Sequence, residues 1–345
     1  MSTGGTAAGS SPGGASNVSG GGAGGSTAGS GGTAGSGGTA GSGGTAGSGG
    51  AGGTGGMPPS AFKCPDGPFE APMAGQVQQV CQNFDFGYND DYDYLEGATW
   101  IASQNAFFFS NFAQGNGPGN NIYTGDIIKY TLGGNCELFL EDVGTNGLAV
   151  SNTGNLLGAS HKSRAIIEWN ITTKAPTVLV DMFMGEMLDS PNDLVQSSNG
   201  TIYFTNPDYE IGNRPGGTGQ AIFRRDAAGV TSKVADAGQP NGIAVSPKGD
   251  KLYVVNGGSW DLDAAGVPSN RDQGFNLGGA DGLAVDCAGN IYASQGGIRG
   301  PNGQSVGNFA GGTNLAFGGP DGTTLFVVGG GSSVKTIKMN VPGLP

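Results

Sequence analysis

Short apolar runs rich in β-branched and aromatic residues recur along the chain, each bounded by Gly, Asn, Asp or Pro. Amphipathic period-3.6 patterning with helix caps is missing, so the pattern predicts an all-β protein. Six stretches share one layout: a polar anchor, usually followed by Gly, then an apolar strand, a turn and a second apolar strand. They begin at Glu96 (EGATWIASQNAFFFSN), Asn146 (NGLAVSNTGNLLGASH), Asn192 (NDLVQSSNGTIYFTN), Asn241 (NGIAVSPKGDKLYVVN), Asp281 (DGLAVDCAGNIYASQ) and Asn314 (NLAFGGPDGTTLFVVG). Anchors spaced by about 33 to 50 residues, with several strands per unit, predict a six-bladed β-propeller with four-stranded blades. Separate hairpins would leave edges and apolar faces uncovered.

The repeats also place side chains. In an antiparallel hairpin the start of one strand and the end of the next share an edge. One ring on one face of the propeller is therefore Glu96, Asn146, Asn192, Asn241, Asp281 and Asn314. A second, further from the axis, is Asn111, His161, Asn206, Asn256, Gln295 and Gly329. The first ring offers carboxylate and amide oxygens, which suits a hard cation, calcium or another divalent ion of that kind. Zinc or copper would want His or Cys, which this ring lacks. Asn-Gly and Asp-Gly are also ordinary turn formers. Turn chemistry accounts for one or two anchors, but not for Glu96 at the same phase.

Composition divides the chain. Residues Met1 to Gly56 are Gly, Ser, Thr and Ala with hardly anything else, carry no charge, and repeat GGTAGS three times between Gly31 and Ser48. Such a segment has no apolar surface to set against its ordering entropy, so 1–56 is expected to be a disordered linker. Residues 57–345 would form the propeller, with 57–93 as a lead-in. The charge is 15 basic against 27 acidic residues, net −12, which speaks against nucleic-acid binding. No apolar run approaches the roughly 18 residues of a membrane helix. A single histidine, His161, rules out HExxH zinc hydrolysis, and no P-loop is found. Cys64, Cys81, Cys136 and Cys287 lack CxxC spacing; Cys64 and Cys81 flank a loop ahead of the first blade and are expected to pair. Trp100, Trp169 and Trp260 are expected to pack within the blades.

LEGATW around Glu96, SPNDLV around Asn192, QPNGIAVSPKGDKLYV around Asn241, ADGLAVD around Asp281 and TNLAFGGPDGTTLFVV around Asn314 resemble the blade motifs of the SMP-30/gluconolactonase family. ASHKSRAIIEW around His161 is similar to the His-x-x-Arg segment of its bacterial sugar-lactonase branch. The resemblance runs from about Tyr94 to Gly343. It implies a six-bladed calcium propeller that hydrolyses a small lactone, in relatives also phosphofluoridates. Glu96 and Asn241 would be calcium ligands, Asn192 an amide on metal or substrate, and Asp281 both ligand and catalytic base or nucleophile. Asn146, His161, Asn192 and Asn314 would contact substrate, with His161 alternatively a hydrogen-bonded wall.

Departures from the family pattern are visible too. Ser190 stands where the family often has Arg, and Asn111, Asn206 and Asn256 stand where it usually has Asp. These changes take charge from the pocket rim and leave the metal ring intact. Rival readings are a non-catalytic propeller plugged by calcium, and a phosphotriesterase-like relative. A monomer is expected. The tail resembles the spacer behind the lipidated cysteine of bacterial surface lipoproteins, which implies a secreted or envelope-tethered protein; with Met1 as the native start the expectation is a cytoplasmic one.

Overall fold

A computed structural model describes residues 62–87, 93–113, 124–211 and 214–344; the expected linker, 1–56, lies outside them. Six four-stranded antiparallel sheets form the blades. The first is Asp93–Ile101, Ala106–Ala113, Asp126–Thr131 and Cys136–Leu140. The second is Thr145–Val150, Leu156–Ser160, Ala165–Trp169 and Pro176–Val180. The third is Leu194–Gln196, Ile202–Asn206, Ala221–Arg225 and Thr231–Asp236. Ile243–Val245, Lys251–Val254, Gly258–Leu262 and Pro268–Asp272 make the fourth. Leu283–Val285, Ile291–Ala293, Gly297–Arg299 and Ser305–Asn308 make the fifth.

The sixth blade closes the ring with both ends of the folded part. Asn314–Gly318, Thr324–Gly329 and Ser333–Met339 are joined by Ala74–Gln79, which pairs antiparallel with the last of them as the outer strand. A short hairpin, Met182–Phe183 with Glu186–Met187, lies between the second and third blades. Among the described residues the only helical element is a 3₁₀ turn, Ala102–Gln104.

Side-chain alternation explains how the blades stack, because successive residues of a strand face opposite sides of the sheet. Phe107 and Phe109 pack with Tyr130 against Phe326 of the sixth blade, the rings of Phe107 and Phe326 stacked at 4.5 Å. Phe108, between them, turns to Leu148 and Leu156 of the second blade. The remaining contacts between neighbouring blades are filled in the same way, each by one apolar layer drawn from both sheets. Burial of this apolar area is the main stabilising term of the fold. Trp100, Trp169 and Trp260 are buried in their blades.

The cysteines pair differently from the sequence expectation. Cys64 is bonded to Cys287 and Cys81 to Cys136; Cys64 and Cys81 are not joined. The reason is the closing strand. Ala74–Gln79 runs extended between the two lead-in cysteines and holds them apart, so each meets a blade flanking the closure. Cys64 reaches the fifth blade's first turn, and Cys81 the outer strand of the first blade.

Candidate functional site

The anchors fall where the repeats place them. Glu96 and Asn146 lie within inner strands, Asn314 begins one, and Asn192, Asn241 and Asp281 each stand two residues before one. The glycine after an anchor is a packing requirement. A Cβ on Gly97 would lie 2.1 Å from the Asn146 carbonyl oxygen, one on Gly147 2.6 Å from that of Asn192, and one on Gly242 2.3 Å from that of Asp281. The same close approach makes hydrogen bonds between blades: Gly147 N–H donates to Asn192 O at 2.6 Å and Gly242 N–H to Asp281 O at 2.8 Å. Gly97 also needs its positive φ of 60°, next to a register shift between Glu96 and Thr99, a conformation glycine adopts freely.

The side chains at the axis form a connected set. Asn314 Nδ2 donates to Glu96 Oε2 at 2.9 Å. Asn241 Nδ2 donates to Asp281 Oδ1 at 2.5 Å, and the Tyr94 hydroxyl to Asp281 Oδ2 at 2.8 Å. The Asp281 backbone N–H is held by Ser294 Oγ at 2.8 Å. Glu96 is only 3% exposed, and its Oε1 is buried without a hydrogen-bond partner among the described residues. Burial, and then the Asp281 charge, hold the Glu96 carboxyl well above the usual carboxylate range. A buried Glu96 beside the half-buried Asp281 carboxylate calls for either a proton or a cation between them. Oxygen-only donors, an orphaned carboxylate oxygen and neutral amides alongside fit a hard dication. Among the described residues no three His, Cys, Asp or Glu side chains form a cluster of their own, so amide oxygens of the Asn192 and Asn241 kind are needed to complete a coordination sphere.

Four further residues belong here that the repeat pattern did not single out. Tyr94 is one, two positions before Glu96. Asp193 takes the position that glycine holds after four of the other anchors; its Oδ1 accepts the Leu194 N–H at 2.9 Å and its Oδ2 the Ile243 N–H at 3.2 Å. Burial pushes its carboxyl up to about 7. Tyr209 and Glu210 come from the irregular segment after Asn206. The Glu210 carboxylate accepts from Ser190 Oγ at 2.6 Å, and burial pushes it up to about 7. A polar residue in place of an anchor glycine was the one sequence signal available, and it pointed to Asp193.

The second ring divides. Asn206 Oδ1 accepts the Asp189 and Ser190 N–H groups at 3.0 and 3.2 Å, and its Nδ2 donates to the Gly219 carbonyl. Asn111 and Asn256 likewise donate to the backbone, at Phe86 and Gln239. These amides tie loops down. Asn256 and Gln295 are exposed. His161 is fully buried, its ring edge-on to Phe112 at 5.2 Å. Neither ring nitrogen has a partner among the described residues. Burial, and then the Arg214 charge, push it down to about 3, so it is a neutral imidazole. Ser305 sits in a Gly303-Gln304-Ser305-Val306-Gly307 stretch of G-x-S-x-G form. It lies exposed on an outer strand of the fifth blade, without the strand-to-helix elbow that makes such a serine a nucleophile.

Residues 95–330 match the SMP-30/gluconolactonase/LRE-like region family. A gluconolactonase from Zymomonas mobilis is 30% identical over 283 residues, covering 69% of this chain and 76% of that protein. A gluconolactonase structure from Xanthomonas campestris superposes with a TM-score of 0.63 at 23% identity, covering 81% of this chain and 99% of that one. Regucalcin from Agrobacterium tumefaciens, a calcium-binding protein, gives 0.56 at 18% identity over 74% and 93%. At these identities the two structures speak for the fold alone. The sequence matches go further: the chain belongs to the SMP-30/gluconolactonase/LRE-like family.

Proposed function

We propose that this protein is a lactonase, a calcium-dependent hydrolase of a small cyclic ester. The observation that carries the reading is the Asp281 carboxylate, held on one oxygen by Tyr94 and on the other by Asn241 beside the buried, half-orphaned Glu96. Glu96, Asn192, Asn241 and Asp281 would hold the ion, which when bound supplies Lewis-acid polarisation of the ester carbonyl. Asp281 takes a proton from water as the water oxygen bonds to the carbonyl carbon, and returns it to the ring oxygen as the C–O bond breaks, leaving a hydroxy acid. Tyr94 and Asn241 keep that carboxylate aimed throughout. Asn314 orients Glu96. Asn146, Asn192, Asn314 and the neutral His161 line the space for substrate.

The Zymomonas mobilis relative's activity supports the choice of ester. Disulfides persist in oxidising compartments, and the two found here support a secreted or envelope-tethered enzyme. A panel of γ- and δ-lactones and aryl esters, assayed with calcium and with chelator, tests the proposal. Lactone hydrolysis abolished by chelator is the expected result. Ligand binding without turnover of any ester would favour the calcium-plugged binding propeller instead.

A further inference from the structure

The axial site offers oxygen donors, and the opposite chemistry stands on the short hairpin between the second and third blades. Its residues read Met182-Phe183-Met184-Gly185-Glu186-Met187 and hold three of the chain's seven methionines. Met182 and Met187 are direct partners across the two strands, so their side chains leave the hairpin on the same face, with Cβ atoms about 5 Å apart. Met184 opens the turn. Phe183 faces the other way, its ring edge-on to Phe223 of the third blade at 5.2 Å. The stem is pinned as well, Leu188 N–H donating to Asp181 O at 3.1 Å and Thr218 N–H to Met187 O at 3.0 Å. One face of the hairpin is locked to the core, and the other presents methionines on a fixed frame.

Neither packing nor turn formation asks for these methionines. Met182, Met184 and Met187 are 48%, 88% and 45% exposed, so they bury little apolar area. Met184 and Gly185 have φ of 54° and 89°, a pair of left-handed residues in which Asn or Asp ordinarily precedes Gly. A long apolar side chain meets the Cβ clash of that region without any local hydrogen bond to offset it. No Leu, Ile or Val stands in any of the three places, although their volume and apolarity are similar. What methionine adds is a polarisable thioether, a soft donor that selects Cu(I). All four cysteines are engaged in disulfides, so no thiol competes for such an ion. The exposed Asp181 and Glu186 carboxylates alongside favour a cation over an apolar partner surface. We propose that Met182, Met184 and Met187 form a binding site for a soft monovalent cation, Cu(I), held by three thioether sulfurs. The site is independent of the calcium ring and of the lactonase reading.

Cu(I) uptake by the full chain, in calcium buffer with ascorbate, is measured by competition against bicinchoninate. One equivalent is expected, with a Kd of about 10 µM or tighter. Calcium in millimolar excess should not displace it, because a hard cation prefers oxygen. The combined Met182→Leu, Met184→Leu and Met187→Leu variant keeps the apolar volume and the fold but removes the sulfurs. Its affinity should fall about thirtyfold or more at an unchanged melting temperature. Met184→Leu alone, at the most exposed of the three positions, should weaken binding about threefold or more. X-ray absorption of the loaded protein should show sulfur neighbours around copper. The proposal is overturned if wild type takes up no Cu(I), if the triple variant binds it as tightly, or if copper is surrounded by nitrogen and oxygen alone. A protein partner captured equally by wild type and the triple variant, with Cu(I) uptake by neither, would make the methionines an apolar docking surface instead.

Discussion

The Tyr94 hydroxyl and the Asp281 carboxylate meet at 2.8 Å although 187 residues separate them. Tyr94 belongs to the first blade and Asp281 opens the fifth, so only closure of the ring brings them together. Burial and the nearby carboxylates raise the Tyr94 hydroxyl far above its ordinary range, so it remains a donor at every working pH. Its role is to hold one Asp281 oxygen while the other is held by Asn241.

Tyr94→Phe removes that donor and little else. Lactone turnover should fall about tenfold through kcat, the scale of one lost hydrogen bond to a charged group, with KM and melting temperature nearly constant. An unchanged kcat would detach Tyr94 from the chemistry.

Calcium should raise the melting temperature and chelator lower it, because a ligand bound only by the native state adds stability by mass action. Glu96→Gln, which neutralises the orphaned carboxylate, should lose most of this calcium-dependent shift. Thermal melts with identical midpoints in calcium and in chelator would contradict the proposed ion site.

Without the ion, stability should depend on pH in a defined direction. The Asp193 and Glu210 carboxyls are pushed up to about 7 by burial, whereas in the unfolded chain they titrate near about 4. Between those values the folded chain keeps protons the unfolded chain has released. The contribution is complete below about pH 4 and is lost as the pH climbs through about 7. Melts in chelator should therefore be lower at pH 8 than at pH 5.5 by roughly 3 °C or more, and calcium should flatten the slope. A metal-free protein more stable at pH 8 would refute the assignment.

Each disulfide ties the lead-in to a blade beside the closing strand. Cys64→Ser and Cys287→Ser should each lower the melting temperature by several degrees, in line with the roughly 2–5 kcal/mol a native disulfide contributes, and the double variant should be no worse than either single one. Additive losses would mean the two cysteines are not bonded to each other.

Much of this architecture could be read from the chain because the same layout recurs six times. The phase of one repeat placed Glu96 beside Asp281 with no knowledge of the distance between them, and it placed the second-ring residues at the ends of the second strands. What the phase could not supply was anything outside the repeat. Tyr209 and Glu210 follow Asn206 in an irregular segment whose position depends on Ser190, Asn206 and Arg214. The cysteine pairing failed for a related reason. Ala74–Gln79 is read as a lead-in until it is seen to pair with Ser333–Met339 at the other end of the chain, and that pairing decides which blades the cysteines meet. The asparagines of the second ring looked like a softened pocket rim. Asn111, Asn206 and Asn256 instead cap backbone groups, a use that residue type alone does not reveal.

The most direct test of the account is lactone hydrolysis by Asp281→Asn, calcium-saturated and compared with wild type on the same substrate. The substitution keeps an oxygen of nearly the same size and removes the proton acceptor. The account predicts that kcat falls about a hundredfold or more while the fold and calcium binding persist. Turnover at the wild-type rate, with calcium still bound, would contradict it.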